Sequence, residues 1–294
     1  MSPAPFADRL AALVEERQSN LCLGLDPDPS ELEPSSAELQ GSPAERAGEA
    51  VTTYCRSLIE RAGSACVAAK PQLACFERLG APGWAALERT LVAAREAGLV
   101  VIADGKRGDV PISAAAYAQA LFGSTPTSWG EVAGLAVDAA TANPLMGADS
   151  IEPLLDGAAR ANAGLFVLVR TSNPGAADLL DLPAPKAPLF ERLAIMVAER
   201  ANRLMGESGL SGLGAVVGAT EPRHLSRLRE LMPRSIFLVP GVGAQGGQAA
   251  DLGPAFGGHP ASVLVTASRS IAGAADPAGA AGELRAELWR LAQG

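Results

Sequence analysis

Four charged side chains of alternating sign are the residues best placed to do chemistry: Lys70, Asp104, Lys106 and Asp109. Three of them fall in the segment Val101-Ile-Ala-Asp104-Gly-Lys106-Arg-Gly-Asp109-Val-Pro. In extended chain, Asp104 and Lys106 are two residues apart and project to the same side. Gly105 and Gly108 let the backbone turn sharply beyond them. An ammonium set among carboxylates stays protonated, because opposite charges favour the charged form. A fixed, protonated lysine in such a setting can stabilise developing negative charge and hand it a proton. For any single residue here, a salt-bridge network tying strand ends together is an equally good reading. Burying unpaired charge is costly, however, and four such groups at neighbouring strand ends point to a site.

A second set lies near the end of the chain. Val239-Pro-Gly241-Val-Gly243-Ala-Gln245-Gly246-Gly247 and Thr266-Ala-Ser268-Arg269-Ser270 each follow an apolar run. Glycine turns admit close approach to backbone N–H groups, Gln245 adds an amide and Arg269 a forked donor, a combination suited to a phosphate. Glycine-rich turns alone would mark only tight bends. Asp26 ends the first apolar run and Arg170 the fifth. Ser172, in Thr171-Ser-Asn-Pro-Gly175, stands where a substrate could be touched, although Pro-Gly turn chemistry would also account for that segment. His224 and His259 read as surface residues, and Trp84, Trp129 and Trp289 as packing residues.

These groups need a scaffold that gathers strand ends. Eight continuous apolar runs recur: 21–25, 66–69, 99–103, 135–139, 165–169, 214–218, 236–239 and 262–266. Unbroken apolar runs suit parallel strands buried on both faces. Ala/Leu/Glu/Arg-rich stretches of helical spacing separate most of them, including 84–98, closed by Gly98, and 189–205. The alternation predicts an α/β fold, a single-domain (β/α)8 TIM barrel over residues 1–294, with an open doubly wound sheet as the competing architecture. Segments 27–48 and 122–130, rich in Pro, Ser, Thr and Gly, read as loop insertions. In a barrel the strand C-termini form the active face, which is where the charges fall.

Composition narrows the functions. The chain has 294 residues, 48% of them hydrophobic and 19% charged, which excludes a disordered protein. A formal charge of −8 and 4% aromatics argue against nucleic-acid and anionic-membrane partners. No apolar run approaches a membrane span, and the first 20 residues lack a signal-peptide layout. Cys22, Cys55, Cys66 and Cys75 form no C-x-x-C pair and lie far from either histidine, so buried thiols are expected rather than zinc ligands. A cytoplasmic protein is the expectation.

Over most of its length the sequence resembles the orotidine 5′-phosphate decarboxylase family, in its longer bacterial (type 2) branch. The resemblance rests on LCLGLDPDP, AAKPQLACFERLG, VIADGKRGDV, RTSNPG, VPGVGAQGG and TASRSIAG, and most specifically on D-x-K-x-x-D with a lysine ending the preceding strand. It implies decarboxylation of orotidine 5′-phosphate to UMP without cofactor or metal. Lys106 would protonate C6 of the pyrimidine, Asp104 would lie beside the departing carboxylate, and Lys70 would bridge Asp104 and the ribose. Asp109 would reach the ribose in the neighbouring subunit's site of a homodimer. Asp26 would hold a ribose hydroxyl, Ser172 the pyrimidine, and Gln245 and Arg269 the phosphate. Metal-dependent barrels with the same D-x-K-x-x-D element are the first alternative; they carry an acidic residue where this chain has Lys70, and an ammonium there repels a dication. A Schiff-base aldolase needs a lysine of depressed pKa, which flanking carboxylates oppose. A barrel that only binds a nucleotide is the third.

Overall fold

A computed structural model of the chain describes residues 3–32, 40–185, 187–220, 222–243 and 246–294. Eight parallel strands close into a barrel: β1 (Leu21–Leu25), β2 (Ala68–Pro71), β3 (Val100–Arg107), β4 (Ala139–Ala142), β5 (Gly164–Arg170), β6 (Ser211–Val217), β7 (Ser235–Val239) and β8 (Val263–Ala267). Each pairs with its sequence neighbours, and β8 returns to β1, so the open doubly wound alternative is excluded. Helices cover the outside of this single domain.

The strands read as continuous apolar runs because both of their faces are buried, against different partners. Odd-numbered residues such as Leu21, Leu23, Val101, Val167 and Phe237 face the helices. Even-numbered residues such as Cys22, Ala68, Ile102, Phe166, Ile236 and Leu264, joined by Ala139 of β4, where the parity is reversed, fill the barrel interior. Helix Phe6–Arg17 lays Phe6, Leu10 and Val14 against that interior set. Phe6 meets Phe166 edge-on at 5.9 Å between ring centroids. Each of these fully buried side chains contributes about 1.5–3 kcal/mol through apolar burial.

Several local expectations are corrected. The fourth strand begins at Ala139, where the sequence reading ended it. Residues 135–138 are instead the approach to that strand: the Arg95 guanidinium donates to the Leu135 and Ala136 carbonyls, and Asp138 accepts from Val101 N–H. Segment 122–130 is not an irregular loop, because Ser124–Thr127 and Gly130–Ala133 pair as an antiparallel hairpin. Trp129, at its turn, is 95% exposed and packs nothing. Residues 43–48 of the other expected insertion open helix Pro43–Ala62, through a capping box between Ser42 and Glu45; residues 33–39 lie outside the described set. Neither histidine is a plain surface residue. His224 is half-buried, edge-on to Phe190 at 4.7 Å, and His259 Nδ1 accepts from Ala261 N–H.

The segment that follows the glycine-rich loop is anchored by Arg229, a buried guanidinium on helix Pro222–Leu231. It donates to the carbonyls of Met232, Ser235, Ala255 and Ser262 at 2.8–3.0 Å and lies 3.7 Å over the Phe237 ring. Burial lowers its pKa to about 10, so the charge survives at neutral pH. Replacing it by leucine strands these carbonyls in the interior. Arg229→Leu should lose about 3 kcal/mol or more of stability, read as a lower urea midpoint.

Candidate functional site

The inward row of the barrel changes character at the strand C-termini. Period-two alternation carries Ala68 to Lys70, Ile102 to Asp104, Ala139 to Thr141, Leu168 to Arg170 and Leu264 to Thr266. All five polar residues line one open cavity of about 1040 Å³, together with Asp26, Gln72, Lys106, Ser172, Thr220, Arg223, Asp181, Gly241 and Arg269.

Asp104 is the hub. Its Oδ2 accepts from Lys70 Nζ at 2.6 Å and its Oδ1 from Lys106 Nζ at 2.6 Å. Thr141 Oγ1 donates to Oδ1 at 2.9 Å. The Gln72 amide, oriented with its NH2 toward the Asp104 main-chain carbonyl, accepts from Lys106 Nζ at 3.3 Å; the opposite orientation reaches Oδ2 only at 3.4 Å and satisfies less. The Lys70 and Asp104 side chains are 7% and 8% exposed, whereas Lys106 is 40% exposed, so one ammonium is sealed and the other opens to the cavity.

Electrostatics fixes the charge states. Burial raises the Asp104 pKa, but Lys70 and Lys106 outweigh it and hold the carboxyl at about 2, below the ordinary 3.8. Burial likewise opposes the Lys70 charge, and Asp104 followed by Asp26 reverses that and raises its pKa. The buried pair is therefore ionic at neutral pH.

Lys106 is reached by an irregularity rather than by plain strand geometry. Pairing of β3 with β4 slips between Ala103 and Arg107, and Lys106 adopts a left-handed backbone with φ +48°. Its N–H donates to Thr141 Oγ1 at 2.9 Å. Arg107 turns away from the cavity, pairs with Glu77 and covers the Tyr117 ring. At Gly108 a Cβ would stand 2.2 Å from the Asn143 carbonyl oxygen, so only glycine lets the ends of β3 and β4 approach this closely.

The remaining residues singled out from sequence divide. Asp26, Ser172 and Arg269 line the same cavity. Arg269 opens the short helix Arg269–Ala272 after β8. Asp109 does not line it; its Oδ1 accepts from Val110 N–H beyond the end of β3. Gln245 lies outside the described residues. Arg170 is buried and forked onto Asp181 at 2.8 and 3.2 Å, which ties the segment after β5 to its own strand. Sequence reasoning missed Thr141, Gln72 and Thr266. Thr141 was hidden by the misplaced fourth strand; the available signal was a lone hydroxyl in Ala139-Ala-Thr-Ala142, just before the Asn143-Pro144 turn. Among the described residues, no group of three or more His, Cys, Asp or Glu side chains is gathered as a metal site.

A family model described as "Orotidine 5'-phosphate decarboxylase / HUMPS family" matches residues 19–284. An orotidine 5′-phosphate decarboxylase from Rhodopirellula baltica is 40% identical over 270 residues, 90% of this chain and 87% of that one. One from Deinococcus radiodurans is 39% identical, over 92% of this chain and 90% of that one. Among solved structures, Leishmania donovani OMP decarboxylase superposes with a TM-score of 0.78 at 33% identity, covering 99% of each chain.

A depressed carboxylate pKa stabilises the fold above the unfolded value and ceases to do so as pH falls through the folded one. For Asp104 that window runs from about 3.8 down to about 2. Acid unfolding curves should therefore show about 2 kcal/mol of stability lost across this range that is absent from Asp104→Asn.

Proposed function

The chain belongs to the orotidine 5′-phosphate decarboxylase / HUMPS family, and from that membership we propose that it converts orotidine 5′-phosphate to UMP and CO2, in pyrimidine biosynthesis, with neither metal nor cofactor. The bond between C6 and the carboxylate breaks, CO2 departs, and the electron pair stays on C6. Lys106 Nζ supplies the proton to that carbon, and solvent restores the lysine. With no cofactor to take up the electron pair, the protein must meet the developing charge electrostatically.

The observation that carries this reading is the occupancy of Asp104. Both of its carboxylate oxygens hold an ammonium at 2.6 Å, and one of those ammonium groups opens into the cavity. A proton donor is thus held in place before substrate arrives, so little reorganisation is left for the chemical step. Asp104 would lie beside the substrate carboxylate, a repulsion that ends when neutral CO2 leaves. Lys70 bridges Asp104 and the ribose, Asp26 takes a ribose hydroxyl, and Ser172 meets the pyrimidine. Gln245 and Arg269 take the phosphate, whose distant grip can be expressed at C6. The same ammonium pair speaks against metal-dependent members of the family, because a dication would have to displace two cations from the only buried carboxylate of the row.

Asp109, which does not line its own cavity, fits a role in the site of a second copy, which makes the homodimer the working unit. The length of 294 residues and the KPQLACFE segment fit the longer bacterial branch. A cytoplasmic location without nucleic-acid partners fits the acidic composition and the buried thiols, of which Cys22 is pushed up to about 12 by burial. Among the described residues no helix is long and apolar enough to cross a membrane.

Loss of orotate absorbance on adding orotidine 5′-phosphate tests the reaction, and EDTA should leave the rate unchanged; activity abolished by EDTA and restored by Mg²⁺ would refute the metal-free reading. Lys106→Ala should lower turnover about a thousand-fold or more while UMP still binds. Subunit sharing has its own signature. Lys106→Ala and Asp109→Ala are each expected to be inactive, but mixed and re-equilibrated they should recover roughly a quarter of wild-type activity, because each heterodimer holds one intact site.

A further inference from the structure

Thr141 lies between the two groups whose relative placement matters most, and neither the family comparison nor the sequence reading gives it a role. Its hydroxyl works in both directions. It donates to Asp104 Oδ1 at 2.9 Å and accepts the Lys106 N–H at 2.9 Å. The second contact replaces a missing ladder bond, because β3 and β4 lose register between Ala103 and Arg107. It also falls on a residue whose φ of +48° is rarely adopted by L side chains, and such a conformation persists only where its surroundings enforce it. The side chain is 1% exposed, so water does not replace it readily.

We propose that Thr141 is a positioning residue for the decarboxylation: one hydroxyl fixes the Asp104 carboxylate and the Lys106 backbone together, and so aims the Lys106 ammonium at C6. This rests on the proposed function. A hydroxyl is suited to the task because it offers one donor and accepting lone pairs at a single atom. Valine keeps the shape of threonine and has neither; serine keeps both.

Steady-state kinetics of Thr141→Val and Thr141→Ser on orotidine 5′-phosphate test the proposal. The valine variant should lose about 10- to 100-fold in kcat, as small misplacements of reacting groups do, with KM within about three-fold of wild type. The serine variant should recover most of the loss. A valine variant with wild-type kcat, one impaired in KM alone, or a serine variant as slow as valine would each overturn it. If the valine variant fails to fold, serine is compared with Thr141→Ala on the same criteria. Should the wild-type protein not act on orotidine 5′-phosphate, the functional reading fails by itself. The positioning claim is then judged from a crystal structure of Thr141→Val: Lys106 leaving the left-handed region supports it, and an unchanged Lys106 backbone with Nζ still on Asp104 refutes it.

Discussion

A carboxylate removed from water is unstable unless its charge is met, and Asp104 is met twice. Lys70 and Lys106 take one oxygen each at 2.6 Å, and Thr141 takes a further lone pair. Two cations and one anion leave the cluster with a net positive charge facing the cavity, which suits an anionic ligand. Each member depends on the others. Without Asp104 the buried Lys70 would lose its partner, and without the lysines Asp104 would draw a proton. The site is thus also an element of fold stability at the C-terminal mouth of the barrel.

Ordinary strand geometry brings Lys70, Asp104 and Thr141 into one row, but it does not deliver Lys106. That requires the slip at the end of β3, the left-handed backbone, and the close passage of Gly108 against Asn143. The neighbouring Arg107 goes outward to Glu77, on the short helix after β2, and locks the turn from behind. The residues of this turn accordingly divide their work. Glycine permits the path, arginine braces it, and lysine faces the cavity.

Much of this was legible in the sequence. Eight apolar runs announced the barrel, and their charged ends announced where a site would form, because apolar runs and buried charges are both constrained by solvation. Boundaries were less legible. Residues 135–139 look like a strand because they are apolar, yet pairing begins only at Ala139, where the alternation matches the barrel interior. Misplacing that strand concealed Thr141. Trp129 shows the reverse limit, since a large aromatic ring suggests packing while hairpin geometry leaves it in solvent. Asp109 could be recognised as chemically apt, but its direction depends on a turn that composition does not encode.

Helix Phe6–Arg17 has a consequence for traffic. By filling the N-terminal mouth with Phe6, Leu10 and Val14, it makes the barrel a blind well. Reactant, carbon dioxide and nucleotide would then share the doorway at the strand C-termini, where the cavity opens. For the reaction proposed, a fresh molecule cannot enter behind a departing one, so the doorway sets the order of events at every cycle.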